Sequence, residues 1–282
     1  MGTSIRRTEA IVSAVSGALV AMTWTYLMLV IGGRDRGARW FVGFAFSFVA
    51  GALDLVPAAF GRPIFTTTGG LLAMAAVVGL VVGGASGAVG TYDWRRGGVL
   101  HFVADLTWGL TGGTLAALVQ LINIGFRRDF PARETARHDV LRYPSGIRPK
   151  GNFTMTVGPV MSNCHELPGA PLYQHERVHV FQNRVFGPTY MPTYLAWLLA
   201  FGAFGGIVGL WSKSMSKRAE AIGYYSNPWE VWAYAKHESE ARAEVRLFQN
   251  SLAWPVSKVV LIASVYFSAV AVAAVLLVIA VV

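Results

Sequence analysis

A mainly helical bundle that crosses a membrane several times, with a small extramembrane module at one membrane face, is the fold class the sequence predicts. Three observations predict it. Of the 282 residues, 54% are hydrophobic and only 14% are charged, and mean hydropathy is +0.47; soluble domains carry about a quarter charged residues. Long runs at 10–31, 41–60, 70–92, 99–125 and 257–282 are almost free of charge, and each is long enough for a helix to cross the hydrocarbon core. A basic stretch at 126–172 and a polar stretch at 212–254 interrupt the apolar sequence.

The first run exceeds a signal-peptide core and no small-residue cleavage site follows it, so it reads as a span. Residues 1–125 read as two helical hairpins, joined by loops at Arg34-Asp35-Arg36 with Arg39, at Gly61-Arg62-Pro63 and at 93–98. Gly79, Gly83 and Gly87, and again Gly109 and Gly113, recur at four-residue spacing, which lets membrane helices approach closely. The expected division is therefore a four-span transmembrane bundle at 1–125, a module at 126–254 and a C-terminal transmembrane helix at 255–282.

Residues 126–172 hold seven Lys or Arg and are punctuated by Pro131, Pro144, Gly146, Pro149 and Gly151, which suits a segment lying against headgroups. Within it, Phe153-Thr154-Met155-Thr156-Val157 alternates with period two and predicts one strand, ended by Gly158-Pro159, with no obvious partner. A helix is predicted over 172–186, stopped by Gly187-Pro188. Another starts near Pro228, with Asn227 suited to N-cap and pairs such as Glu238/Arg242 along it.

The net charge of +9 sits beside apolar runs, where Lys and Arg meet anionic lipid, so the expected partner is the bilayer; no motif supports nucleic acid. Cys164 is the single cysteine, which excludes an intrachain disulfide. It reads as a small buried residue despite its neighbours His165 and Glu166.

The chemistry concentrates in His175-Glu176-Arg177-Val178-His179. Two imidazoles four apart on one helix project from one face and can share an ion. Glu176 lies about 100° round that helix, where it can act as a base without being a ligand. With six His and nine Glu in the chain, chance supplies about 0.004 such matches. A catalytic zinc takes three protein ligands and keeps a fourth position open. The remaining histidines are His101, His138, His165 and His237, and the carboxylates that follow are Glu220, Glu230, Glu238, Glu240 and Glu244. Glu230 lies one turn into the helix that Asn227-Pro228 begins. On spacing alone two roles stay open for it, metal ligand or capping box with the Asn227 backbone.

His-Glu-x-x-His followed by Val180 and Gln182, then Asn227-Pro228-Trp229-Glu230 and Ala233, resembles the zincin metallopeptidases of the gluzincin type. The resemblance covers roughly 172–245. It implies a zincin-like module with Zn2+ on His175, His179 and Glu230, Glu176 as general base, and His237 as the alternative third ligand. It does not extend to 1–125. The Asn-Glu-x-x-x-Asp pattern of soluble members is missing from the sequence, and little room remains for their large sheet. Tyr234 and His237 share a helical face with Glu230 and are candidate stabilisers of an oxyanion. Gln182 and Asn183 are candidates for orienting the ligands.

The apolar run 193–211 poses a constraint. If it crossed the membrane, the histidines and Glu230 would lie on opposite sides. With Pro192 at its start and Gly202, Gly205 and Gly206 near its middle, it predicts a re-entrant or interfacial hairpin turning near 202–206. Asp54, His101 and Asp105 sit within apolar runs, and His101 and Asp105 are spaced to bond each other.

The expected function is a membrane-embedded, zinc-dependent metalloprotease acting on a membrane-associated peptide or protein. The alternatives are a zinc hydrolase of a lipid-linked substrate, a non-catalytic assembly protein on a zincin fold, and a transporter using Asp54 and Asp105. An integral position in a bacterial plasma membrane is expected. Short basic flanks tie at five on each side, and the basic 133–150 segment leans the site to the cytoplasmic face. A homo-oligomer is left open.

Overall fold

The computed structural model describes residues 78–94, 97–107, 109–127, 137–148, 153–211 and 214–237, with isolated positions between 42 and 49. The runs 10–31 and 257–282, Asp54 and the Glu238/Arg242 pair lie outside the described residues. What is described is mainly helical.

A π-helical segment, Val78–Gly84, runs into α1 (Ala85–Val89) and ends at Gly90, whose left-handed φ of 69° closes the helix. Helix α2 (Gly98–Leu106) and helix α3 (Leu110–Ile122) follow, the latter continued by a π turn at Asn123–Arg127. The run 99–125 is thus two helices and not one span. The chain bends at 107–109, where the Gly109 N–H turns back to the Ala104 carbonyl at 2.7 Å.

Three short strands form one sheet, β1 (Leu141–Tyr143), β2 (Met155–Val157) and β3 (Val160–Ser162), in the order β1-β3-β2. The period-two segment does have a partner. Gly158-Pro159 is a two-residue turn that folds β2 antiparallel onto β3, and β1 adds to β3 in parallel. Gly158 is required twice over, by its φ of 54° and because a Cβ would meet the Gly112 carbonyl oxygen at 2.6 Å. Ala116 and Val119 of α3 share one core with Leu141, Tyr143 and Val160 of the sheet.

The helix expected over 172–186 forms as α4 (Pro171–Phe186), with Pro171 at its first position. Glu166 caps it by accepting from the Leu172 N–H at 2.9 Å. Gly187 ends the helix at φ 50°. Tyr173, Val178, Val180 and Phe186 are buried, and burying a Val or Phe contributes about 1.5–3 kcal/mol.

After a 3-10 turn (Gly187–Thr189) comes α5 (Tyr190–Trp211), 22 residues with no charge, or about 33 Å at 1.5 Å per residue. Among the described residues, the helical run ending at Trp211 is the one long and apolar enough to cross a membrane. The chain then reverses at 212–214 and returns as α6 (Met215–Glu220) and a π segment (Ala221–Tyr225) packed along α5. A hairpin exists, but it does not turn at 202–206. Gly205, with Gly209 and Gly223, packs it instead. A Cβ on Gly205 would meet the Arg218 carbonyl oxygen at 2.5 Å, one on Gly209 the Met215 Cα at 2.4 Å, and one on Gly223 the Gly202 Cα at 2.7 Å. Backbone lies on backbone, the close approach that small residues permit. Gly209→Val is therefore expected to part the arms and destabilise the fold by about 1–3 kcal/mol, read as a lower melting temperature and faster proteolysis within 212–225.

The last described helix, α7 (Pro228–His237), packs on α4. Asn227 caps it, its Oδ1 accepting from the Trp229 N–H at 3.2 Å, and ties it to α5 through Nδ2 to the Tyr194 carbonyl at 3.2 Å.

Candidate metal centre

Two turns of α4 place His175 and His179 on one face, and the out-and-back hairpin delivers α7 alongside. His175 Nε2 lies 3.2 Å from His179 Nε2. Glu230 faces both, with Oε2 at 3.2 Å from His175 Nε2 and Oε1 at 3.4 Å from His179 Nε2. All three residues are buried, and their ligand atoms lie within 4.8 Å of one another, so the group could hold a metal ion. Glu230 does not close a capping box. The Asn227 N–H goes to the Tyr224 carbonyl at 2.9 Å, leaving the carboxylate to the histidines.

The supporting contacts are specific. His179 Nδ1 bonds Gln182 Oε1 at 2.9 Å, and Gln182 Nε2 donates to the Trp229 carbonyl at 3.0 Å, which couples α4 to α7 beside the ligand it orients. Tyr190 Oη also reaches His179 Nδ1, at 3.2 Å, and Tyr194 Oη donates to Glu230 Oε1 at 2.7 Å. Asn183 faces elsewhere. Its buried amide lies against Gly112 and Gly109 of α3 and orients no ligand.

Electrostatics follow from this packing. Burial opposes a proton on His179, but the Glu230 carboxylate beside it outweighs burial and lifts the imidazole to about 9. The same pairing holds the Glu230 carboxyl well below the usual carboxylate range, although burial alone would raise it. A raised imidazole stabilises the metal-free fold fully below its unfolded value near 6.5, and that contribution is lost as pH climbs through about 9.

Glu176 is buried and accepts a hydrogen bond from Thr156 Oγ1 of β2 at 2.5 Å. It opens, with His179 and Glu230, into a cleft of about 670 Å³ walled by β2, α5 and the return arm. Tyr234 lies with its ring 4.3 Å from that of His175 and does not line the cleft, whereas Tyr194 does. His237 is the last residue of α7, and its side chain lies outside the described residues. Sequence reading passed over Tyr190, Tyr194 and Thr156. The two tyrosines open an apolar run, and their spacing of four was the available signal that both face one partner.

His101 and Asp105 do not bond each other. Arg184 grips Asp105 with two bonds, Nε to Oδ1 at 2.8 Å and Nη2 to Oδ2 at 2.6 Å, and Tyr92 Oη adds a third at 3.0 Å. His101 pairs with Asp139 at 2.8 Å. Burial would raise the Asp139 carboxyl, but hydrogen bonds from His101 and the Asp93 N–H hold it below its ordinary value. This network pins the C-terminal turn of α4 to α2. Compared with known proteins, the chain matches no family model, no curated protein and no solved structure.

Proposed function

We propose that the chain is a membrane-embedded zinc metalloprotease of the gluzincin type, cutting a membrane-associated polypeptide, with His175, His179 and Glu230 as the zinc ligands. The spacing of the three donors carries the reading. Atoms at 2.0–2.1 Å from a common tetrahedral centre stand about 3.3 Å apart; here the two imidazole Nε2 atoms are 3.2 Å apart, and one Glu230 oxygen lies 3.2 Å from His175 while the other lies 3.4 Å from His179. Two imidazoles and a carboxylate are a donor set of catalytic zinc, which keeps its fourth position open. Bound there, zinc would supply Lewis-acid polarisation of the scissile carbonyl and an acidified water.

Glu176 is the general base. It takes a proton from the attacking water as the oxygen–carbon bond forms, then gives it to the nitrogen as the carbon–nitrogen bond breaks. Thr156 holds the Glu176 carboxylate at the cleft wall. Tyr194, already donating to Glu230 and facing the cleft, is better placed to reach a developing oxyanion than Tyr234. The outer position of β2 in the sheet, among the described residues, supports a polypeptide substrate, because an extended chain can pair with such a strand. The apolar α5, flanked by the basic return arm, supports attachment to a bilayer. The wider polytopic bundle, the bacterial plasma membrane and a cytoplasmic-facing site belong to the same proposal.

Glu176→Gln tests it. The purified variant should keep one zinc per chain and lose at least about a hundredfold in kcat on a peptide library. Hydrolysis undiminished in the variant, or wild-type protein that takes up no zinc, would sink the reading.

A further inference from the structure

The cleft continues past the metal centre between the two arms of the hairpin. Met155 and Val157 of β2, Leu195 and Leu198 of α5, and Ser216 and Ala219 of α6 line it. Gly202 lines this extension. Gly205, Gly209 and Gly223 are closed, since a Cβ on any of them would strike backbone within 2.7 Å; Gly206 is open too but does not line the cleft. At Gly202 a Cβ would meet nothing nearer than 3.9 Å. The arms therefore stay in backbone contact on one side of Gly202 while the space its side chain would fill is left to the cleft. Eight residues of α5 separate Tyr194, beside Glu230, from Gly202, which is about 12 Å of helix. An extended peptide covers that in about four residues.

We infer that this inter-arm extension is a specificity subsite for a large apolar side chain of an extended polypeptide, and that Gly202 sets its depth. The inference rests on the proteolytic reading for the identity of the substrate, and the geometry of the extension supplies the selection. The wall is mostly apolar, so burial of an apolar side chain drives binding. A peptide rather than an acyl chain is favoured because β2, an outer strand of the sheet among the described residues, lines the same wall, and an outer strand offers main-chain hydrogen bonds that an acyl chain cannot use.

The test uses full-length, zinc-loaded protein in nanodiscs and a set of fluorescein-labelled decapeptides in which one Ala→Leu exchange is walked along the sequence. For wild type, one position, about four residues from the cut bond, should favour Leu over Ala by about ten- to a hundredfold in kcat/KM. Gly202→Leu should cut that preference about tenfold with zinc content unchanged. Leu198→Ala, which widens the extension, should move the preference from Leu toward Phe. A Leu preference that neither variant alters overturns the inference. Equilibrium binding of the same peptides to the Glu176→Gln protein separates the two claims. Position-dependent binding that Gly202→Leu weakens, found alongside a wild type that cuts nothing, upholds the subsite and rejects proteolysis. A fluorescent fatty acid displaced by Gly202→Leu, with no peptide bound, overturns the inference in favour of a lipid-like substrate.

Discussion

Glu230→Ala should strip the centre of its metal while α4 and the hairpin remain folded. In the proposed centre the carboxylate is one of three donors, and it faces both imidazoles. Loss of a supporting contact around a metal ligand costs about ten- to a hundredfold in affinity, so loss of the ligand itself should cost more. Competition with a chelator of known affinity, with metal per chain read by mass spectrometry, measures it, and His175→Ala should behave alike. Retention of stoichiometric metal by both variants would place the ion elsewhere. In wild type the affinity should climb with pH between 6 and 9, because His179 carries a proton up to about 9 in the metal-free protein and must release it to coordinate. A flat profile over that range would contradict the pairing of His179 with Glu230.

The second large effect lies away from the centre. Arg184→Ala leaves Asp105, 1% exposed, as an uncompensated buried charge. Breaking such a pair from one side costs about 3–5 kcal/mol, a large share of the 5–15 kcal/mol that holds a typical domain together. Urea unfolding of the solubilised protein should show the midpoint falling sharply. The double variant Arg184→Met with Asp105→Leu should recover most of the loss, since two apolar groups need no partner. A single variant as stable as wild type would mean that water reaches the pair. Metal affinity should fall in the single variant too, because Arg184 fixes the turn of α4 that follows His179.

The local features were legible because local rules govern them. Pro171 and Gly187-Pro188 bracket α4, Asn227-Pro228 starts α7, and the four-residue spacing of His175 and His179 is a property of one helix. The hairpin was half legible. Glycines can hinge a helix or pack it, and composition alone does not separate the two. Gly202, Gly205 and Gly209 recur at three and four residues, so they share one face, which is the mark of packing; the chain reverses instead between Trp211 and Met215. The break at 107–109 hid inside an unbroken apolar run. Asp105 meets Arg184 across 79 residues of sequence, a distance over which no periodicity reports, and so the nearer His101 was the visible partner. Thr156 was assigned to a strand, but its reach to Glu176 depends on how that strand lies over α4.

The two halves of the centre are separated in the chain by the entire excursion from Tyr190 to Tyr225. Glu230 can meet the histidines only after the greasy arm has gone out and come back, with Asn227 and Tyr194 clasped at its base. A chain whose arm has not yet folded back therefore carries two imidazoles without the carboxylate that faces them. Under the proposed function, the power to cleave would arise only once that arm has folded back.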